Sequence, residues 1–229
     1  MSEVLRPEAV PGFLEPLLRG VAEAGPGEFS SHRVAPPPGT TRRSAVLMLF
    51  GEGPEVLLVE RAATLRNHAG QVAFPGGRID PVDTGPVGAA LREAQEETGL
   101  RPPGVVPLAL LPDMFIPPSG FVVSPVLAHW AEPSPVRAVD PAETAAVLRV
   151  PVADLADPDN RIMTRHPSGH IAPAFLVAGV LVWGFTGALL SGLLDRAGWT
   201  VPWDETRVMD LGAAWAAARS DTGREAAGS

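Results

Sequence analysis

Residues 77–100 read GRIDPVDTGPVGAALREAQEETGL, a loop running into a helix. The loop, Gly76–Pro86, holds three glycines with Asp80, Pro81 and Asp83. The helix is expected from about Thr84 to Thr98, with Thr84 as N-cap, Pro86 in the first turn and Gly99 just past the end. On such a helix Glu93, Glu96 and Glu97 stand at i, i+3 and i+4 and share one face. Val87, Ala90, Leu91, Ala94 and Thr98 form the opposite stripe, suited to packing on a sheet. Carboxylates this close repel one another by a few tenths of a kcal/mol per pair. A divalent cation reverses that cost, because hard ions such as Mg²⁺ take oxygen ligands from one or two carboxylates and from substrate phosphates. Arg92 is placed to hold one carboxylate through a two-pronged salt bridge. Taken alone, EAQEE also fits an ordinary solvated acidic face.

Outward from this stretch, the chain alternates short apolar runs with turn-forming segments. Ala45–Phe50 and Val56–Val59, joined by GEGP, predict a β-hairpin. Val105–Leu111, Phe121–Trp130 and Val147–Val152 read as strands, Ser134–Pro141 as a proline-rich loop and Ala156–Asn160 as a turn. Phe13, Leu14, Leu17, Leu18 and Val21 recur at helical spacing, and Gly25–Thr41 reads as a linker. Ile171–Leu194 carries no charged residue. A hydropathy rule alone makes it a membrane span. Pro173 and glycines 179, 184, 187 and 192 interrupt it, so a strand (Phe175–Trp183) running into a buried helix (Thr186–Arg196) is expected instead. The three parts expected are an N-terminal helix and linker over residues 1–40, a main domain over 41–214 and a flexible tail over 215–229.

Composition narrows the chemistry. The 229 residues carry 18 basic and 26 acidic side chains, a net charge of −8, and no cysteine. Thiolate nucleophiles, zinc-thiolate sites and disulfide scaffolds are excluded. Lysine is also absent, so every basic residue is arginine, which excludes a Schiff-base lysine and a Walker A loop. The acidic balance argues against a nucleic-acid partner, though not against an anionic small molecule met through a bound cation. No targeting signal is read at either end, so a cytoplasmic location without a membrane anchor is expected.

Gly77, Arg92, Glu93, Ala94, Glu96, Glu97, Gly99 and Leu100 resemble the Nudix box, G-x5-E-x7-R-E-U-x-E-E-x-G-U, where U is a bulky apolar residue. Asp83 stands where the box has glutamate, one extra residue precedes Arg92, and Ala94 is small for its position. The upstream segment LLVERAATLRNHAGQVAFPGG (Leu57–Gly77) is similar to the signature of the coenzyme A pyrophosphatase branch, LLTxRSxxxRxxxGxVxFPGG, departing at Val59 and Ala62. The resemblance spans roughly residues 40–195. It implies an α/β fold, a Nudix-type α/β/α sandwich with a mixed sheet between helices. It further implies Mg²⁺- or Mn²⁺-dependent hydrolysis of the diphosphate bond of coenzyme A or a derivative, giving 3′,5′-ADP and 4′-phosphopantetheine or its acyl form. A Nudix hydrolase of another diphosphate, such as ADP-ribose, and a non-catalytic nucleotide-binding module are the alternatives.

The expected metal ligands are Glu93, Glu96, Glu97 and, from the resemblance, a backbone carbonyl at Gly76 or Gly77. Arg92 and these glutamates form the expected catalytic group, with Glu143 the candidate for a further acid beyond the box; Glu143 also fits a surface acid. Arg61 and Arg66 are candidates for substrate phosphates because guanidinium matches phosphate geometry. Pairing with a strand neighbour is the lesser reading of Arg61. His68 is expected to contact substrate or to cap its loop. Phe74 reads first as a core residue, with a base-stacking substrate contact the competing role. His166 and His170 flank an HPSG turn rather than a metal. The partner class is a small molecule, and the N-terminal forty residues leave a homodimer open.

Overall fold

The computed structural model describes residues 2–23, 36–117 and 119–225. Residues 25–35 of the expected linker and 226–229 of the expected tail lie outside the described residues.

The strand signals condense into a mixed sheet. The GEGP turn joins β2 (Arg43–Gly51) to β3 (Glu55–Arg61), and the pair holds at Phe50↔Val56 and Gly51↔Glu55. Beyond the turn the two strands take different partners. The first, β1 (Glu3–Val4), lies antiparallel to β6 (Val105–Leu110) at the sheet edge. Next comes β8 (Phe121–Trp130), antiparallel to β6 and parallel to β2 from Arg43↔Val122 to Phe50↔His129. The short β7 (Met114–Ile116) folds back on β8. On the other side β3 pairs with β4 (Val72–Ala73) and β9 (Thr144–Pro151), while β5 (Gly76–Arg78) pairs with β2 at residues 44–46. A short helix, α3 (Val152–Ala156), follows β9.

Alternation along β2 sorts the two faces, as side chains on a strand point alternately to either side. Ala45, Leu47 and Leu49 face the helix α2 (Pro86–Thr98), whose Ala89, Ala90 and Ala94 are fully buried against them. The small Ala94 therefore sits where the helix approaches the sheet. Met48 and Phe50 face the opposite layer, formed by α1 (Glu15–Glu23) and α4 (Gly184–Arg196). Leu14, Leu17 and Val21 are wholly buried there, so the N-terminal apolar stripe is covered by the chain's own core. Gly20 is forced at the α1–α4 crossing, because a Cβ would stand 2.3 Å from the Arg196 carbonyl oxygen. The result is a three-layer α/β/α sandwich.

Two expectations at helix ends and in the C-terminal third are corrected. The α2 cap is Gly85, not Thr84; its φ of +94° suits glycine, and the Ala89 amide donates to its carbonyl. The uncharged Ile171–Leu194 run is not one strand and a helix but a hairpin and a helix. Strands β11 (Ile171–Val177) and β12 (Val180–Val182) turn at Ala178–Gly179, both at positive φ, before α4. Among the described residues, no helix is long and apolar enough to cross a membrane. Strands β10 (Arg161–Arg165) and β13 (Val208–Asp210) complete a second, four-stranded sheet in the order β12-β11-β10-β13. His166 and His170 close the β10–β11 turn, the His166 amide donating to the His170 carbonyl at 2.8 Å. The last helix, α5 (Leu211–Glu225), takes in residues 215–225 of the expected tail and buries Ala214 and Ala218 against this sheet.

Candidate active site

The glutamate face of α2 meets the start of β5, and glycine makes the approach possible. A Cβ on Gly77 would stand 2.5 Å from the Glu93 carboxyl carbon, so only glycine lets that carboxylate lie against the backbone. Gly76, at φ +157°, is pressed against β2 in the same way, 2.3 Å separating its virtual Cβ from the Ala45 carbonyl oxygen. The Gly76 amide donates to Glu97 Oε2 at 3.0 Å. The helix and the Gly76–Gly77 segment are thus joined through Glu93 and Glu97.

Arg92 holds the neighbouring loop. Its Nε and Nη2 donate to the two carboxylate oxygens of Asp83 at 2.9 and 3.0 Å, the two-pronged geometry that guanidinium favours. Nη1 donates to Glu93 and Glu96, both at 3.0 Å, and Nη2 also reaches the Arg78 carbonyl. The two-pronged bridge expected toward the glutamates is made to Asp83 instead. The aspartate at the box's first acidic position therefore pairs with the box arginine across the extra residue. The Arg92 guanidinium holds the Asp83 carboxyl below its ordinary value.

The glutamates differ in setting. The Glu96 side chain is 59% exposed, whereas Glu93 is largely covered and Glu97 sits deepest. Burial pushes Glu97 up from 4.5 to about 7; the Gly76 amide and Arg61 pull it back, while Glu93 and Glu143 push it further up. Glu93 is also raised, chiefly by burial and against the pull of Arg92. Arg61 and Glu143 are neighbours at the end of β3, where the Ala62 amide donates to the Glu143 carbonyl and Arg61 pairs with Thr144. Their charges both act on Glu97, so three expected site residues far apart in sequence share one place.

The other substrate candidates divide. Arg66 and His68 lie on the exposed loop after β3, and His68 Nδ1 bonds Gln71 Oε1 at 2.9 Å, a contact that caps the loop. Phe74 is 2% exposed inside the main apolar cluster with Leu58 and Val72, so it packs the core and is not a substrate contact.

Among the described residues, no group of three or more His, Asp or Glu closes on a common point. Arg92 accounts for much of this, since it takes one oxygen each from Glu93 and Glu96. The donor chemistry nevertheless fits a divalent cation. All the candidate ligands are hard oxygens, and the buried Glu97 is costly to ionise without a cation beside it. Glu93, Glu96, Glu97 and the Gly77 carbonyl are the groups that would hold it.

Residues 40–171 match the NUDIX domain. The chain is 37% identical over 166 residues to a protein of Cronobacter sakazakii named "Uncharacterized Nudix hydrolase NudL", covering 69% of this chain and 83% of the relative. A protein of the same name from Salmonella newport is 36% identical over 162 residues, with 69% and 83% coverage. Among solved structures, a NUDIX hydrolase from Nitrosomonas europaea aligns over 78% of this chain and 81% of its own, with 16% identity and a TM-score of 0.48. RenU, a Nudix hydrolase from M. Smegmatis, aligns over 71% and 89%, with 21% identity and a TM-score of 0.46. On the domain match and the sequence identity to these relatives, the chain belongs to the Nudix family.

Proposed function

We propose that this chain is a Mg²⁺- or Mn²⁺-dependent pyrophosphohydrolase that cleaves the diphosphate bond of coenzyme A or a derivative. The observation that carries this reading is the 3.0 Å hydrogen bond from the Gly76 amide to Glu97, which ties the end of the Leu57–Gly77 segment to α2. It brings the upstream segment, with its candidate phosphate-binding arginines, to the glutamate helix. A divalent ion held there would neutralise phosphoryl oxygens and supply an activated water.

The chain's own groups account for the rest. Arg61 and Arg66 bind the diphosphate oxygens, Arg61 beside the glutamates and Arg66 from the exposed loop. Water's oxygen bonds to one phosphorus as the bridging P–O bond breaks, leaving two monophosphates. Glu143, close enough for its charge to act on Glu97, accepts the water's proton. Arg92 acts by position, holding the 80–85 loop through Asp83. Such phosphoryl transfer depends on placement and charge neutralisation, so a chain without cysteine or lysine lacks nothing it needs.

The test is incubation with coenzyme A and either Mg²⁺ or Mn²⁺, with chromatography for 3′,5′-ADP. Release of 3′,5′-ADP and 4′-phosphopantetheine is expected. Failure with both metals, together with cleavage of ADP-ribose or another diphosphate, overturns the substrate. Binding without any turnover overturns the enzymatic reading and leaves a nucleotide-binding module.

A further inference from the structure

The loop carrying Arg61, Arg66 and His68 has a narrow neck. The Arg61 amide donates to the Gln71 carbonyl at 3.0 Å, and the Gly70 amide donates to the Arg61 carbonyl at 3.1 Å. Gly70 itself has φ +67°, a left-handed conformation that glycine adopts without strain. Its open side is covered by a distant part of the chain. A Cβ built on Gly70 would stand 3.5 Å from Trp215 Cη2, so the tip of that indole lies directly over the neck.

Trp215 is well placed to bear on the loop. Ala214 and Ala218 anchor one stripe of α5 against Ile162, Ala174 and Leu181 of the second sheet. Trp215 and Arg219 lie one residue further on, also at i, i+4, and the Arg219 guanidinium stands 5.4 Å from the Trp215 ring centre. Arg219 also acts on Glu60, the residue before Arg61; burial pushes the Glu60 carboxyl up and Arg219 draws it back. The indole of Trp215 and the charge of Arg219, both from one helix, therefore bear on the loop neck and the end of β3.

We propose that Trp215 is a positioning residue for substrate binding, holding the neck of the 61–71 loop so that Arg61 stays beside Glu97. The proposal rests on assigning that loop to the substrate's phosphates. It makes α5, which lies beyond the NUDIX-matched residues 40–171, a working part of the site. Substrate binding then depends on an element outside the matched domain, which reaches the loop through the contact of Trp215 with Gly70.

Two readouts test this on the full chain, comparing wild type with Trp215→Ala and Trp215→Phe. The first is the rate of tryptic cleavage after the exposed Arg66, with cleavage after Arg137 in the separate proline-rich loop as the control for global opening. Trp215→Ala should raise cleavage at Arg66 at least fivefold and leave Arg137 unchanged, while Trp215→Phe stays near wild type. The second is KM against kcat on whichever of coenzyme A, ADP-ribose or diadenosine tetraphosphate the wild type cleaves. Trp215→Ala should raise KM about tenfold with kcat changed less than threefold, and Trp215→Phe should restore it. If Trp215→Ala does not fold, Trp215→Leu takes its place. Arg66 cleavage within twofold of wild type, or an unchanged KM, overturns the proposal. Cleavage of ADP-ribose but not coenzyme A overturns the substrate assignment and leaves this one standing; with no substrate cleaved, the tryptic rates decide it alone.

Discussion

Arg92 grips both carboxylate oxygens of Asp83 while its remaining terminal nitrogen spans Glu93 and Glu96. One guanidinium thus ties the loop before α2 to two of the three glutamates on it. Lysine keeps the charge but cannot reproduce this fork. Arg92→Lys should lower kcat/KM by about 10–100-fold, comparable to losses caused by misplacing catalytic groups. Asp83→Asn should lose a similar amount, because a carboxamide offers one acceptor oxygen to the fork. Steady-state kinetics on both variants, with circular dichroism to confirm folding, checks this.

Gly77 offers a sharper geometric test. A methyl group there would meet the Glu93 carboxyl at 2.5 Å, well inside contact distance. Gly77→Ala must therefore displace Glu93 or the segment itself. We expect turnover to fall at least about tenfold with little loss of stability, because the methyl group meets only the movable end of the Glu93 side chain. Activity at the wild-type level in the alanine variant would show that the contact is not needed.

Glu97 should trade stability for activity. Its carboxyl ionises at 4.5 when solvated and near 7 in the folded, metal-free chain. The folded state therefore holds a proton that the unfolded state has released, and stability falls as pH rises from 4.5 through about 7. Glu97→Gln removes that loss. In EDTA at pH 8 the variant should be more stable than wild type by on the order of 1–3 kcal/mol, with the difference vanishing near pH 4.5. Its metal-dependent turnover should drop at least about a hundredfold, as expected when a carboxylate that would hold the cation is lost. Urea unfolding at the two pH values and an activity assay read the two effects separately.

His129 should act in the opposite direction with pH. It is 8% exposed, its ring meets Phe13 edge-on at 5.9 Å, and among the described residues its Nε2 has no hydrogen-bond partner. Burial holds the imidazole below its ordinary 6.5, with Glu52 opposing. The unfolded chain therefore takes up a proton first on acidification, and stability declines as pH drops below 6.5. His129→Phe keeps an aromatic ring against Phe13 and removes the titration. The drop in urea midpoint between pH 7 and pH 5.5 should be smaller in the variant than in wild type.

Much of the sandwich can be recognised in the residues themselves. The β2–β3 hairpin follows from two apolar runs around GEGP, and the α2 stripe from apolar positions at helical spacing. The second sheet is harder to see. β10 and β13 are short, separated by more than forty residues, and paired in parallel, so no local signal joins them. The uncharged Ile171–Leu194 run conceals a hairpin because its turn, Ala178–Gly179, lacks the usual asparagine or aspartate before glycine. Thr84 looks like a cap by residue type, yet its hydroxyl lies 2.6 Å from where a Gly88 Cβ would stand and makes no capping bond. Phe74 shows a milder ambiguity: an aromatic beside a glycine-rich turn favours the core but also suits a base, and its burial between β4 and β5 decides for the core.

Helix geometry acts over three or four residues, so spacing alone is enough to put Glu93, Glu96 and Glu97 on a common face. Arg61, Glu143 and Trp215 come from separate segments, and their convergence depends on how β3 pairs with β9 and on where α5 docks. A one-residue slip in that pairing would turn Arg61 to the other face of the sheet. The carboxylate face is therefore a local property of the chain, while its arginine, its neighbouring acid and the tryptophan over Gly70 are supplied by long-range packing.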